Sequence, residues 1–132
     1  MNVVAQFNDS FERNVSNHFE LFFRTFYNHF EALSPQISAV FAHTVESRRH
    51  EMLEDSILML MSCSAGKEAS VELKHLASFH ARQGIDVRMY DDWFEALMQT
   101  LTELDDTFCD ADRHAWQEML LPGIRYMKDY HE

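Results

Sequence analysis

The sequence predicts an all-α domain, and three observations carry that expectation. Only three glycines and two prolines interrupt 132 residues, whereas a β-sandwich or barrel needs turn residues roughly every 8–12 positions. Apolar residues recur at intervals of three and four along most of the chain, the period of one helical face. Eleven phenylalanines and eight methionines supply a bulky core. That volume suits packing around something large, flat and apolar, although a phenylalanine-rich core without a ligand is equally compatible with it. The length is that of one domain, residues 1–132, able to close its core without staples.

Seven or so helices of unequal length are expected. Phe7, Phe11 and Val15 recur every fourth residue, and Asp9 with Glu12 reads as a capping box for this short first helix. In FELFFRTFYNHFEAL, Phe19, Phe23, Phe26 and Phe30 share one face, with Tyr27 beside it. Ser34-Pro35 ends that helix and starts the next, PQISAVF, which closes near Phe41. RRHEMLEDSILMLMS carries a stripe of Leu53, Ile57, Leu60 and Met61 whose backward projection meets Arg49. Gly66 is expected to break the chain. KEASVELKHLASFHARQG then aligns Leu73, Leu76 and His80 and stops at Gly84. Asp86 is expected to cap a long helix through Tyr90, Trp93, Leu97 and Leu101. Asp110 is expected to cap the last, through Trp116, Leu120, Ile124 and Met127, with a kink at Pro122-Gly123.

The formal net charge of −11 repels phosphate backbones and anionic lipid, which argues against nucleic-acid and membrane partners. No apolar run approaches the roughly 18 residues of a membrane span. Cys63 and Cys109 form no CxxC pair and read as reduced, packed thiols of a cytoplasmic protein. No CxxCH is present, which excludes covalent c-type haem attachment. MNVVAQFNDSFER lacks a basic segment followed by an apolar run, so no secretory signal is expected.

His80 is the residue with chemistry to offer. It continues the Leu73–Leu76 line, whereas His75 lies about 140° around the helix, toward water. An inward histidine presents a neutral imidazole nitrogen to a metal, and haem iron takes one such axial ligand. Taken alone, a histidine on an apolar face is more often an ordinary core residue.

The order of the surrounding features adds to this. Tyr27 sits on an aromatic helix, Pro35 is followed by Phe41, and Arg49-His50 opens the next helix. His80, Gly84-Ile85 and Tyr90 follow. In these strings (FYNHF, SPQISAVF, RHEMLEDSI, LASFHARQGI) and in Ala115-Trp116, the sequence resembles the globins. Within them it is similar to single-domain bacterial globins and the haem domains of flavohaemoglobins, over roughly residues 5–130. The resemblance implies a three-over-three helical sandwich with helix D absent or very short, and haem b (iron protoporphyrin IX) in its cleft. It implies that His80 ligates the iron, that Phe41 stacks on the porphyrin, and that Leu53 and Leu76 face it. Tyr27 matches the distal tyrosine whose hydroxyl donates to a bound gas, and Tyr90 the tyrosine that supports the proximal histidine. Each has a plainer alternative: Phe41 as core, Tyr27 bonded to a backbone carbonyl.

Two positions depart from the family pattern. The distal site on the fourth helix, usually Gln or His, falls on Arg49 when Leu53 and Ile57 keep register. Seating His50 there would turn Glu54 inward, which burial disfavours. A guanidinium is costly to bury without an anion, so Arg49 is expected to reach a haem propionate at the pocket mouth. The glutamate completing the proximal network of flavohaemoglobins aligns close to His131, with Glu132 adjacent.

The implied function is reversible binding of O2, NO or CO. The roles it leaves open are O2 transport or storage, gas sensing, NO dioxygenation and peroxidase-like chemistry. The redox roles require a separate reductase, since residues 1–132 leave no room for one. The chain is expected to be a monomer or homodimer. The alternative is a haem-free globin-like module for protein contacts in stress signalling. A carboxylate-bridged di-iron bundle is excluded, because Glu72-Leu73-Lys74-His75 is the one Glu-x-x-His string and faces water.

Overall fold

The computed structural model describes residues 2–63 and 69–130. Among these the chain forms seven α-helices and no strand: α1 (Val3–Phe11), α2 (Phe19–Leu33), α3 (Pro35–Phe41), α4 (Glu46–Met61), α5 (Val71–Arg82), α6 (Val87–Leu104) and α7 (Asp110–Asp129). A π-helical turn, Glu12–Ser16, extends α1. Helices α1, α4 and α5 pack across α7, while α2 lies along α6, which itself touches α7. This is the expected three-over-three sandwich. Residues 42–45 join α3 directly to α4, so helix D is absent. No helix among the described residues is long and apolar enough to cross a membrane.

Local chemistry explains most boundaries. Pro35 opens α3, and the Ser34 hydroxyl accepts from Gln36 N, which pins the α2–α3 junction where the sequence marks it. Ser70 accepts from Leu73 N to start α5, and Asp86 accepts from Arg88 N to start α6. Gly84, at φ +70°, takes the left-handed turn that ends α5.

Two expected starts are corrected. α1 begins at Val3, capped by the Asn2 side chain, so Asp9 is an exposed residue inside the helix and not a cap. The Asp9–Glu12 spacing mimics a capping box, but burying Phe7 against Trp116, with ring centroids 4.6 Å apart, selects the longer helix. At α7 the cap is Cys109, one residue before Asp110, and Cys109 N donates to the Asp112 carboxylate at 3.2 Å. The exposed position of Cys109 also corrects the expectation that both thiols are packed; Cys63 is half-buried, and neither forms a disulfide.

α7 continues through Pro122 to Asp129. A Cβ added at Gly123 would lie 2.8 Å from Leu60 Cδ2 and 3.0 Å from both Leu60 Cα and O. Helices α4 and α7 therefore cross there nearly backbone to backbone. The expected break at Gly66 and the His131-Glu132 pair lie outside the described residues.

The core is aromatic, with Phe7, Phe22, Phe26 and Trp116 fully buried. Beside it lies a polar knot that the apolar periodicity does not announce. Arg13 donates to Asp105 at 2.8 and 3.0 Å, Asn14 at 2.9 Å, and Thr107 through its backbone N at 2.9 Å and its hydroxyl at 2.6 Å. Burial alone would raise the Asp105 pKa, but these donors outweigh it and bring the carboxyl down to about 2. Gln6 donates to Asp112, and Trp116 Nε1 donates to Ser10 Oγ at 2.9 Å. The knot ties α1 and its π-turn to both ends of the α6–α7 connection.

Candidate functional site

The predicted site residues fall into two clusters. The first is built by α5 and α6. Leu73 and Ala77 are fully buried and anchor α5, which leaves Leu76 and His80 half-buried one turn on. His80 Nδ1 lies 2.8 Å from the Leu76 carbonyl oxygen. A carbonyl only accepts, so Nδ1 carries the proton and Nε2 keeps its lone pair. Burial lowers the His80 pKa below 6.5, against the opposing Leu76 bond, so the ring is neutral near pH 7. The Tyr90 ring centroid is 6.2 Å from that of His80, and burial pushes the Tyr90 pKa up, which keeps its hydroxyl protonated. His75 is exposed, as its helical position requires.

The second cluster is built by α2, α3 and the start of α4. Tyr27 meets Phe41 edge-on at 5.3 Å, and Leu53 is fully buried on α4. The Tyr27 hydroxyl donates to the Arg49 backbone carbonyl at 3.3 Å, longer than the roughly 2.7–2.8 Å of a good hydroxyl bond. Burial raises its pKa strongly; Arg49 pulls the other way and Glu31 reinforces the rise. The tyrosine is therefore a permanent donor.

Arg49 lies against this cluster, its guanidinium carbon 5.4 Å from the Phe41 ring centroid and 5.7 Å from that of Tyr27. Nη1 is 3.0 Å from Glu31 Oε1, Nε donates to Thr44 O at 3.2 Å, and Nη2 donates to Phe41 O. The anionic partner of Arg49 within the chain is thus Glu31, a residue that sequence reasoning missed. No periodic signal links Glu31 on α2 to Arg49 on α4; an acid on the half-buried edge of the Tyr27 helix was the one available hint. A surface cavity of about 370 Å³ opens between Tyr27, Asn28, Glu31, Thr44 and Arg49.

His50 points elsewhere. Its ring packs on Phe23 with centroids 3.6 Å apart and meets Phe19 edge-on at 5.3 Å, while Glu54 is exposed. Of the two residues, Arg49 is the one whose side chain lies beside Tyr27 and Phe41.

No protein-family model matches the chain, and no curated protein does. Among solved structures, it is similar to a crystal structure from Pseudomonas aeruginosa, of a protein described as structurally highly homologous to a human hemoglobin. The TM-score is 0.86 and the sequence identity 32%, over 98% of this chain and 98% of that one. With that identity over nearly all of both chains, and with the helix order described above, this chain belongs to the same family as the Pseudomonas protein and has the globin fold.

Proposed function

We propose that the chain is a single globin domain that binds one haem b non-covalently, with His80 as the residue that would hold its iron through Nε2. The observation that carries this reading is the His80–Leu76 hydrogen bond. It fixes the tautomer that leaves the Nε2 lone pair free, and a neutral ring needs no proton removed before it ligates a metal. Phe41, Leu53 and Leu76 would supply the apolar walls, and Tyr90 would orient His80. The likeness to a haemoglobin-like structure supports the same reading.

Bound haem would supply an iron able to bind O2, NO or CO. The residues of the chain then do the rest. Tyr27 keeps its proton, and a hydroxyl held at 3.3 Å turns readily toward a better acceptor. Arg49 is tethered by Glu31 and two carbonyls, so it shapes the pocket edge from the protein side and does not depend on a propionate for its counter-charge. Redox chemistry such as NO dioxygenation would need a source of electrons to keep the iron ferrous.

One observation favours a second reading, a haem-free interaction module: the donors of Tyr27 and Arg49 already have acceptors within the chain. The absorption spectrum separates the two. A Soret band in the purified protein is expected, lost in His80→Ala and kept in His75→Ala. Its absence from the wild-type protein reconstituted with hemin, or its survival in His80→Ala, would overturn the assignment.

A further inference from the structure

A second group of potential metal ligands, distinct from His80, borders the Tyr27–Arg49 cavity, which Arg24 and Glu46 also line. Glu46 and His50 are four residues apart on the first turns of α4, and so share one helix face. Glu20, on the first turn of α2, meets them from the neighbouring helix. One ligand atom from each of the three residues lies within 4.8 Å of the others. His50 Nε2 is 3.7 Å from Glu20 Oε1 and 3.9 Å from Glu46 Oε1. Two ligands about 2.1 Å from a tetrahedral ion are about 3.4 Å apart, so closing on a cation shortens the two His50 distances by about half an ångström or less, and the distance between the two carboxylate oxygens by at most about 1.4 Å.

The independent observation is at His50 itself. Its Nε2 atom is buried, has no hydrogen-bond partner, and is aimed at the two carboxylates. A buried polar atom without a partner costs free energy. The ring cannot turn away freely, because it is packed on Phe23 and Phe19. Arg24 approaches the same carboxylates, at 3.6 Å from Glu20 and 3.7 Å from Glu46, as a cation would, but it does not satisfy Nε2. Its side chain is 68% exposed, so it can leave.

We propose that Glu20, Glu46 and His50 form a binding site for a divalent transition-metal cation, with Arg24 as its resident competitor. One imidazole and two carboxylates suit a borderline ion of the Zn2+ type. A metal held there would staple the start of α4 to the start of α2, one residue from Arg49.

Calorimetric titration of the full-length chain with Zn2+ near neutral pH tests this. One site is expected, weakened about tenfold or more by Glu46→Gln, by Glu20→Gln and by His50→Ala. Both glutamates are exposed, so their variants fold even if His50→Ala does not. Arg24→Gln removes the competing charge and should tighten Zn2+ binding several-fold. That gain is a result which adsorption to surface histidines would not produce. Absence of binding, binding unchanged in Glu46→Gln, or no tightening in Arg24→Gln would each overturn the proposal.

Discussion

The α1–α7 corner and the α4–α5 side both bury polar groups, with opposite results. At the corner, Asp105 receives donors from Arg13, Asn14 and Thr107, and the indole N–H of Trp116 has Ser10. On the other side the polar atoms are held loosely or left open. Tyr27 makes a long bond, His80 Nε2 keeps a lone pair, and His50 Nε2 has no hydrogen-bond partner. A satisfied buried network rigidifies a fold, whereas uncommitted donors and acceptors are what a ligand can engage. Substitutions at the corner should therefore be read out in stability, and substitutions in the site in ligand behaviour.

The largest stability effect is expected at Asp105. Asp105→Ala removes the carboxylate partner of Arg13 and one of the two acceptors of the buried Asn14 amide, which keeps Ser10 O, at a cost of about 2–3 kcal/mol by urea denaturation. The pH dependence has a definite sign. The folded pKa, about 2, is below the ordinary 3.8, so the contribution is fully present above about pH 4 and is lost as pH falls toward 2. The acid limb of the stability curve should flatten in the variant. An unchanged limb would mean that Asp105 is not what makes the fold acid-sensitive.

The legibility of the sequence follows the same division. Caps and stripes are local, so α2 and α3 were readable to the residue from Ser34-Pro35 and the phenylalanine spacing. The half-buried placement of His80 was readable because it continues an apolar line. The Arg13–Asp105 pair joins residues 92 apart, and polar partners across such a distance leave no periodic trace. Glu31 was missed for the same reason. The start of α1 was misread because Asp9-Glu12 satisfies a local rule that the Phe7–Trp116 contact overrides.

A smaller effect is expected where the two layers cross. Gly123→Ala gains about 1 kcal/mol of helix propensity but forces a methyl into Leu60. Overpacking of this kind costs about 1–3 kcal/mol, so a net loss near 1 kcal/mol is expected. Two of the three close atoms belong to the Leu60 backbone, so shortening the side chain relieves only the 2.8 Å contact. The Leu60→Ala/Gly123→Ala double variant should remain less stable than Leu60→Ala alone. Equal stabilities would locate the conflict in the side chain and not in the helix crossing.

The smallest stability change should come from the site, at Tyr27, and there ligand behaviour should change instead. Removing the hydroxyl deletes one long bond to a carbonyl, so Tyr27→Phe should shift the stability of the haem-free protein by less than about 0.5 kcal/mol. The Phe26, Phe30 and Phe41 contacts of the ring remain. In the haem-loaded protein the same hydroxyl should turn toward the gas, where a bond to a partly charged acceptor is stronger. A difference of about 1.4 kcal/mol corresponds to tenfold, so O2 should leave the variant about ten times faster, with CO dissociation much less altered. Stopped-flow measurement of both gases checks this. Equal O2 rates in the two proteins would mean that Tyr27 stays on the Arg49 carbonyl when ligand is present. The α4–α5 side would then be as closed as the Asp105 corner.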